Sequence, residues 1–408
     1  MLKTISQRNL TIGLYSFSAL CLALYFVGLK TGFPLLGFAP VGLGLIVWGI
    51  ADYKSLFFLL WITIPLSVEF YLPNGFGTDL PTEPLMLGLS VITIILLVTR
   101  HQQFPWAILK KPLFILLFAH LLWILICAIN SDMAVFSYKI FAAKIWYVLP
   151  FTILPLFVIR TEDDLKKLFW SIYIPLTFTV VLSLLRHGIL YHFSFDNVHQ
   201  SIQPYYRNHV SYATIMSVFF PFLWLADKWY EKGSQKYKLL QFSKLLYLVA
   251  IYFSYTRGAM LAVFAMIPFY VIIKWNLIKT TLITAIIGSA LVVTFLVHNN
   301  YFFRYAPTYK RTVMHEKFND HFASTFEGED LSSMERVYRW VAAVKMIPER
   351  PYMGVGSGNF YNYYKRYTAT DFYTYVSDNP ERSTVHNYFL FITIEQGFIG
   401  LAIFVLLT

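Results

Sequence analysis

Along the 408 residues, apolar runs of roughly 17 to 20 positions recur, separated by short breaks that carry most of the charged side chains. Within a run the apolar positions are continuous rather than confined to one face, and the length suits a helix crossing about 30 Å of hydrocarbon. Twelve stretches qualify, at about 11–29, 34–50, 55–72, 82–99, 112–129, 139–158, 167–185, 209–226, 243–256, 258–274, 279–297 and 386–408, the ninth being the shortest. A bilayer core holds no water, so each backbone N–H and C=O there needs an internal partner, and a helix supplies it. The pattern predicts an all-α polytopic membrane protein with about twelve transmembrane helices. About eleven fill 1–297, a large, partly helical segment spans 298–385, and 386–408 forms the last. No small-residue cleavage motif follows the first run, so it is expected to stay in the membrane. The last run reaches Thr408 without a basic flank, an ending that leaves room for further spans.

Composition agrees with the pattern. The chain is 57% hydrophobic and 13% charged, with a mean hydropathy of +0.55, whereas soluble domains carry about 25% charged residues. A water-soluble globule is excluded. Cys21 and Cys127 both fall in apolar runs, so neither a disulfide framework nor a thiolate zinc site is indicated. The net charge of +11 is chiefly an orientation signal. With the N-terminus in the cytoplasm, the inward loops hold sixteen basic residues: Lys3, Arg8, Lys54, Arg100, Lys110, Lys111, Arg160, Lys166, Lys167, Lys228, Lys232, Lys236, Lys238, Lys244, Lys274 and Lys279. The short outward loops hold four, Lys30, Arg186, Arg207 and Arg257. Reversing the orientation would invert the positive-inside rule. The 298–385 segment, with eleven basic and ten acidic residues, then lies on the outer side, and no nucleic-acid partner is expected.

Tyr, Phe and Trp are scattered through that segment, which is expected to fold against the bundle rather than serve as a linker. Ser332 with Glu335 reads as a capping box for a helix over about 333–347, stopped by Pro348 and Pro351. The glycine-rich Gly354-Val355-Gly356-Ser357-Gly358-Asn359 then reads as a tight turn; it lacks the strand–loop–helix context of a nucleotide cradle. Tyr361, Tyr363, Tyr364, Tyr367, Tyr373 and Tyr375 either stack on sugar rings or pack on the bundle. Asp163 and Asp164, among Arg160, Lys166 and Lys167, read as solvated surface. His315 and His321 are not at helical metal spacing.

The topology sends three groups to the outer side: Arg207 before segment eight, Arg257 in the hairpin between nine and ten, and His386 at the start of segment twelve. Ionisable residues at membrane depth are costly and usually face a cavity or a partner. On its own, Arg257 reads equally well as an arginine anchoring a helix end, and a lone interfacial histidine is more often structural than catalytic. Lys144, near the outer end of segment six, either snorkels or adds positive charge to a cavity. Glu69 and Glu395 are carboxylates that pair with the arginines or order the site.

Four motifs, taken in order, carry a resemblance. Thr256-Arg257-Gly258-Ala259 ends one helix, Glu335-Arg336 is followed by Trp340, Pro351-Tyr352-Met353-Gly354 leads into the glycine stretch through Phe360, and His386-Asn387 is followed by Glu395-Gln396-Gly397-Phe398-Ile399-Gly400. Together they resemble the O-antigen ligase and Wzy-type polymerase family over about 200–408; the first 200 residues match it in hydropathy alone. The resemblance implies a bacterial inner-membrane glycosyltransferase that moves a glycan from undecaprenyl diphosphate to an acceptor hydroxyl on the periplasmic side, with no metal and no other cofactor. It implies functional counterparts at Arg257, at His386 and at Arg207 in Tyr206-Arg207-Asn208-His209. Arg336 matches a family arginine and, with Lys144, completes the candidates for diphosphate binding. In this reading the guanidinium forks of Arg207 and Arg257 bind phosphate oxygens and stabilise the leaving diphosphate. His386 takes the proton of the incoming hydroxyl, and a single displacement inverts the anomeric centre.

The acceptor separates the family's branches: lipid A core for a ligase, a second lipid-linked glycan for a polymerase, a protein side chain for an O-oligosaccharyltransferase. The late position of the outer segment favours the ligase. The first outer loop, 29–33, holds no paired carboxylates, unlike the metal-dependent lipid-linked oligosaccharyltransferases. A polysaccharide or lipid transporter is the reading from another class. It would be expected to show broken helices at the membrane midplane in two related halves.

Overall fold

The computed structural model describes residues 7–32, 36, 37, 39–71, 77–298, 300, 301, 331–368 and 384–408. His315, His321, Tyr373 and Tyr375 lie outside the described residues. All twelve apolar runs fall on helices: α1 (Gln7–Thr31), α2 (Ala39–Ala51), α3 (Tyr53–Thr63), α4 (Thr82–Thr99), α5 (Pro112–Ile129), α6 (Ala134–Val158), α7 (Glu162–Tyr191), α8 (His209–Ala226), α9 (Gln235–Phe253), α10 (Arg257–Lys274), α11 (Ile278–Val297) and, after α12 (Leu331–Met346), α13 (Tyr388–Leu407). Among the described residues, nine are long and apolar enough to cross a membrane: α1, α4 to α8, α10, α11 and α13.

Three of the twelve expected spans fall outside these nine among the described residues. Helix α2 has 13 residues and α3 has 11, too few for a full crossing. Helix α9 has 19 residues but carries Lys236, Lys238 and Lys244. The third run also ends early. Pro65 sits in a 3-10 turn at Ile64–Leu66, and the β-favouring Val68–Tyr71 then forms strand β1, antiparallel to β2 (Gly77–Leu80), with Glu69 opposite Asp79. Within α6, a π-helical turn at Leu149–Ile153 precedes Pro155, so that Leu154 donates to the Leu149 carbonyl at 2.8 Å. The proline has no N–H to keep the α register.

The chain divides into two compact units. The first comprises 1–104, 146–186 and 202–207. Its core is built on Leu56, Phe57, Leu60, Leu89, Ile92, Leu154, Leu176 and Val180, all nearly inaccessible. Arg100 lies over the Tyr53 ring at 5.2 Å, Lys167 over Phe58 at 4.5 Å, and Arg160 donates to the Gln103 carbonyl at 2.9 Å. The second unit comprises 105–145, 187–201 and 208–408. There Tyr247 and Met216 are buried between α8 and α9, and α5 packs along α13. Large aliphatic and aromatic side chains remain exposed along both units, for example Leu261, Phe264 and Ile267 of α10 and Leu291 of α11. On a soluble protein such surface would aggregate; on spanning helices it is the face offered to lipid.

Among the described residues, Arg160 with Gln103, Arg207 with Glu69 and Arg350 with Asp132 each join loops that the alternation of the twelve expected runs puts on one side, and Lys244 pairs with Asp227 across the turn between α8 and α9.

Candidate functional site

Arg257 opens α10 after a three-residue turn from α9. The turn is held from several directions. Tyr255 takes a left-handed conformation (φ 54°) and donates its hydroxyl to the Phe193 carbonyl at 2.5 Å. Its ring meets Phe195 edge-on, while Phe193 stacks on Phe253 at 4.1 Å. The Thr256 hydroxyl donates to the His209 carbonyl at 3.3 Å. Arg257 is thereby fixed, half-buried, at a helix N-terminus. Free N–H groups and the helix dipole already favour an anion there, and the guanidinium adds a full positive charge.

Arg207 belongs to the other unit. Its neighbour Tyr206 is buried, with its hydroxyl 2.6 Å from that of Thr179, and burial pushes the phenol up to about 12. Arg207 itself is exposed, its Nε 4.0 Å from the Glu69 carboxylate on β1. Tyr71 donates to the same carboxylate at 2.7 Å, and Thr78 donates to Glu83 at 2.7 Å. Asp79 is raised from the ordinary aspartate range by burial and by Glu83 and Glu69, with Arg207 acting in the opposite sense. The expected pairing of Glu69 with an arginine is thus present.

His386 precedes α13, exposed and in the left-handed region (φ 55°), and the next residue, Asn387, caps the helix by accepting from the Phe389 and Leu390 N–H groups. Helix α13 is not straight. Gly397 (φ 71°, ψ −176°) breaks it, and the Tyr388 and Phe389 rings lie 5.1 and 5.9 Å from that of Phe404. An unbroken helix would separate positions 388 and 404 by about 24 Å, so the two arms fold toward each other.

The glycine stretch is fitted into this break. Val355 and Gly356 donate to the carbonyls of Ile394 and Glu395 at 2.8 and 3.0 Å, Phe398 donates to Pro351 at 2.8 Å, and Trp123 donates to the Gln396 carbonyl at 2.8 Å. The buried Glu395 carboxylate accepts from the Gly358 and Phe360 N–H groups at 2.9 and 3.3 Å. A Cβ on Gly354 would stand 2.4 Å from the Glu395 backbone, and one on Gly397 would stand 2.1 Å from the Tyr352 carbonyl oxygen. Only glycine tolerates both this approach and the positive φ. Of the two roles expected for Glu395, ordering the site is the one it performs.

The loop before α6 completes the anchorage. Ser131 and Ser137 donate to the Val355 and Ser357 carbonyls, and the Asn359 amide reaches both hydroxyls. Asp132 accepts from Arg350 at 2.5 Å and from Tyr363 at 2.7 Å. Arg350 holds the Asp132 carboxyl below the usual aspartate range. Tyr364 is buried and Tyr367 packs on the same core, so packing accounts for these two tyrosines. Sequence reasoning passed over Ser131, Asp132 and Ser137; their one local signal is a polar break between two strongly apolar runs.

Arg257 and His386 share a unit, as do Arg336 and Lys144, whereas Arg207 lies in the other. Arg336 is exposed on α12. Lys144 is exposed but deeper than expected, since α6 begins at Ala134 and places it about 15 Å along the helix. Its charge acts on both Glu395 and His120, and His120 contacts the Gln396 side chain at 2.8 Å.

These helices, with apolar faces exposed and the polar groups of their loops bonded to one another within each unit, define an all-α polytopic membrane protein. Residues 242–405 match the model of a family described as O-antigen ligase. Arg257, Arg336, the glycine stretch, His386 and Glu395 all lie within the matched residues. No curated protein and no solved structure matches the chain.

Proposed function

We propose that the protein is an O-antigen ligase-type glycosyltransferase of the bacterial inner membrane, transferring a glycan from undecaprenyl diphosphate to a sugar hydroxyl of lipid A core at the periplasmic face. The observation that carries this reading is the family match over the region that fixes Arg257 at a helix N-terminus and presents His386 from a clamped backbone. Arg257 supplies a guanidinium group to the donor's diphosphate. As the glycosidic bond breaks, charge gathers on the leaving diphosphate, and groups already aimed at it stabilise the transition state more than the ground state. His386 accepts the proton of the attacking hydroxyl, a role suited to the side chain whose charge changes near neutral pH. The hydroxyl oxygen forms the new bond to the anomeric carbon, the old carbon–oxygen bond breaks, and the configuration inverts.

The test is reconstitution with an undecaprenyl-diphosphate glycan and either lipid A core or a second lipid-linked glycan. Extension of lipid A core by the wild-type chain, lost in His386→Ala at unchanged protein level, is the expected result. Extension of the lipid-linked glycan alone would make the enzyme a polymerase. Undiminished transfer by His386→Ala would remove the base from the mechanism.

A further inference from the structure

A non-glycine residue in the left-handed region is uncommon, and such a conformation persists only where the surroundings dictate it. At His386 (φ 55°) those surroundings are on both sides of the residue. Before it, the Trp340 indole N–H on α12 donates to the Val385 carbonyl at 3.1 Å, and Arg339 donates to the Thr384 carbonyl at 3.4 Å. The Val385 side chain is fully buried in the core formed by Ala342, Ala343, Met346 and Ile394. After it, Asn387 caps α13. The imidazole between these fixed points is exposed, and the clamp fixes the backbone from which it leaves.

We propose that Trp340 is a positioning residue for His386. Its indole N–H, bound to the Val385 carbonyl, holds the backbone in the conformation that aims the imidazole at the acceptor hydroxyl. This rests on the reading of His386 as the general base. Replacing the indole by phenyl keeps an aromatic ring against the core and removes the donor. The Val385 carbonyl then loses its partner, and the peptide joining Val385 to His386 gains freedom to turn. A displacement of about 1 Å at a proton-transferring group can lower a rate about a hundredfold, and binding of either substrate has no part in it.

The experiment uses the full chain reconstituted with the lipid-linked donor and lipid A core, with rates normalised to folded protein. Trp340→Phe is expected to lower kcat about 10- to 100-fold while KM for both substrates stays within about twofold. In a His386→Ala background it is expected to leave the residual rate unchanged, because groups acting through one another are not additive. A scaffold residue would instead lower the rate by the same factor in both backgrounds. Trp340→His, which retains a ring N–H, is expected to recover part of the loss. Should Trp340→Phe fail to fold, Arg339→Gln loosens the adjoining Thr384 carbonyl and should lower kcat by a smaller factor, with the same silence beside His386→Ala. A wild-type kcat in the variant, or an equal drop in both backgrounds, overturns the positioning role while an inactive His386→Ala leaves the base in place. Undiminished turnover by His386→Ala overturns the base itself.

Discussion

Arg257 stands where an α-helix least welcomes a cation. At the first turn, the unpaired N–H groups and the macrodipole repel positive charge by about 0.3 to 1 kcal/mol, and Arg257 tolerates this in a half-buried position. An anionic ligand would reverse the sign of that interaction. Arg257→Ala is therefore expected to lower kcat about 100- to 1,000-fold, the range found when one preorganised donor to a developing anion is removed. Arg257→Lys should restore only part of the rate, because an ammonium lacks the planar fork that holds two phosphate oxygens at once. Steady-state kinetics on donor and acceptor would check both. If the lysine variant matched wild type, the charge alone would matter and the fork would not. The places of Arg257 and His386 at helix ends were legible in the sequence because each is an ionisable residue beside a long apolar run. The contacts of Asp132, Ser131 and Asn359 were not, since their partners lie 218 to 231 positions away along the chain.

At the level of elements, hydropathy located the apolar helices, because burial in lipid and burial in protein both demand apolar side chains, while α12 was legible from its capping box. It could not locate the break in α13. Tyr388–Leu407 has the composition of an ordinary span, and the bend depends on one glycine meeting the loop that begins at Pro351. Likewise, hydropathy carried the third run through Val68–Tyr71, where hydrogen bonding to Gly77–Leu80 forms a hairpin instead. Gly397→Ala is expected to cost roughly 2–4 kcal/mol, seen as a fall of several degrees in the melting temperature of the detergent-solubilised protein. Gly288→Ala provides the comparison. A Cβ there meets nothing within 4 Å, and alanine favours the interior of α11, so that variant should melt at or above the wild-type temperature. Equal melting of the two variants would show that the break does not depend on glycine.

For the molecule as a whole, the sorting of loops into two sets makes a labelling prediction. In a chain with Cys21 and Cys127 replaced by serine, a single cysteine at Lys232 should react with a membrane-impermeant maleimide only when the cytoplasmic face is opened. A cysteine at Gln203 or Tyr352 should react from outside in intact cells. Reaction of Lys232→Cys from outside would reverse the orientation and take Arg257 and His386 to the wrong side for a periplasmic transfer. This sidedness rests on the basic residues, most of which occupy alternate loops. The division into two units was not legible, because 105–145 and 187–201 join the second unit through contacts distant in sequence.

The bend in α13 bears on a different duty of any energised membrane, which is to hold its ion gradients. A helix interrupted in hydrocarbon ordinarily recruits water to its bared carbonyls. Here those of Ile394, Glu395 and Gln396 are all occupied by protein donors. At these three carbonyls the chain turns at Gly397 without calling on solvent, so an angled span need not open a path for protons there.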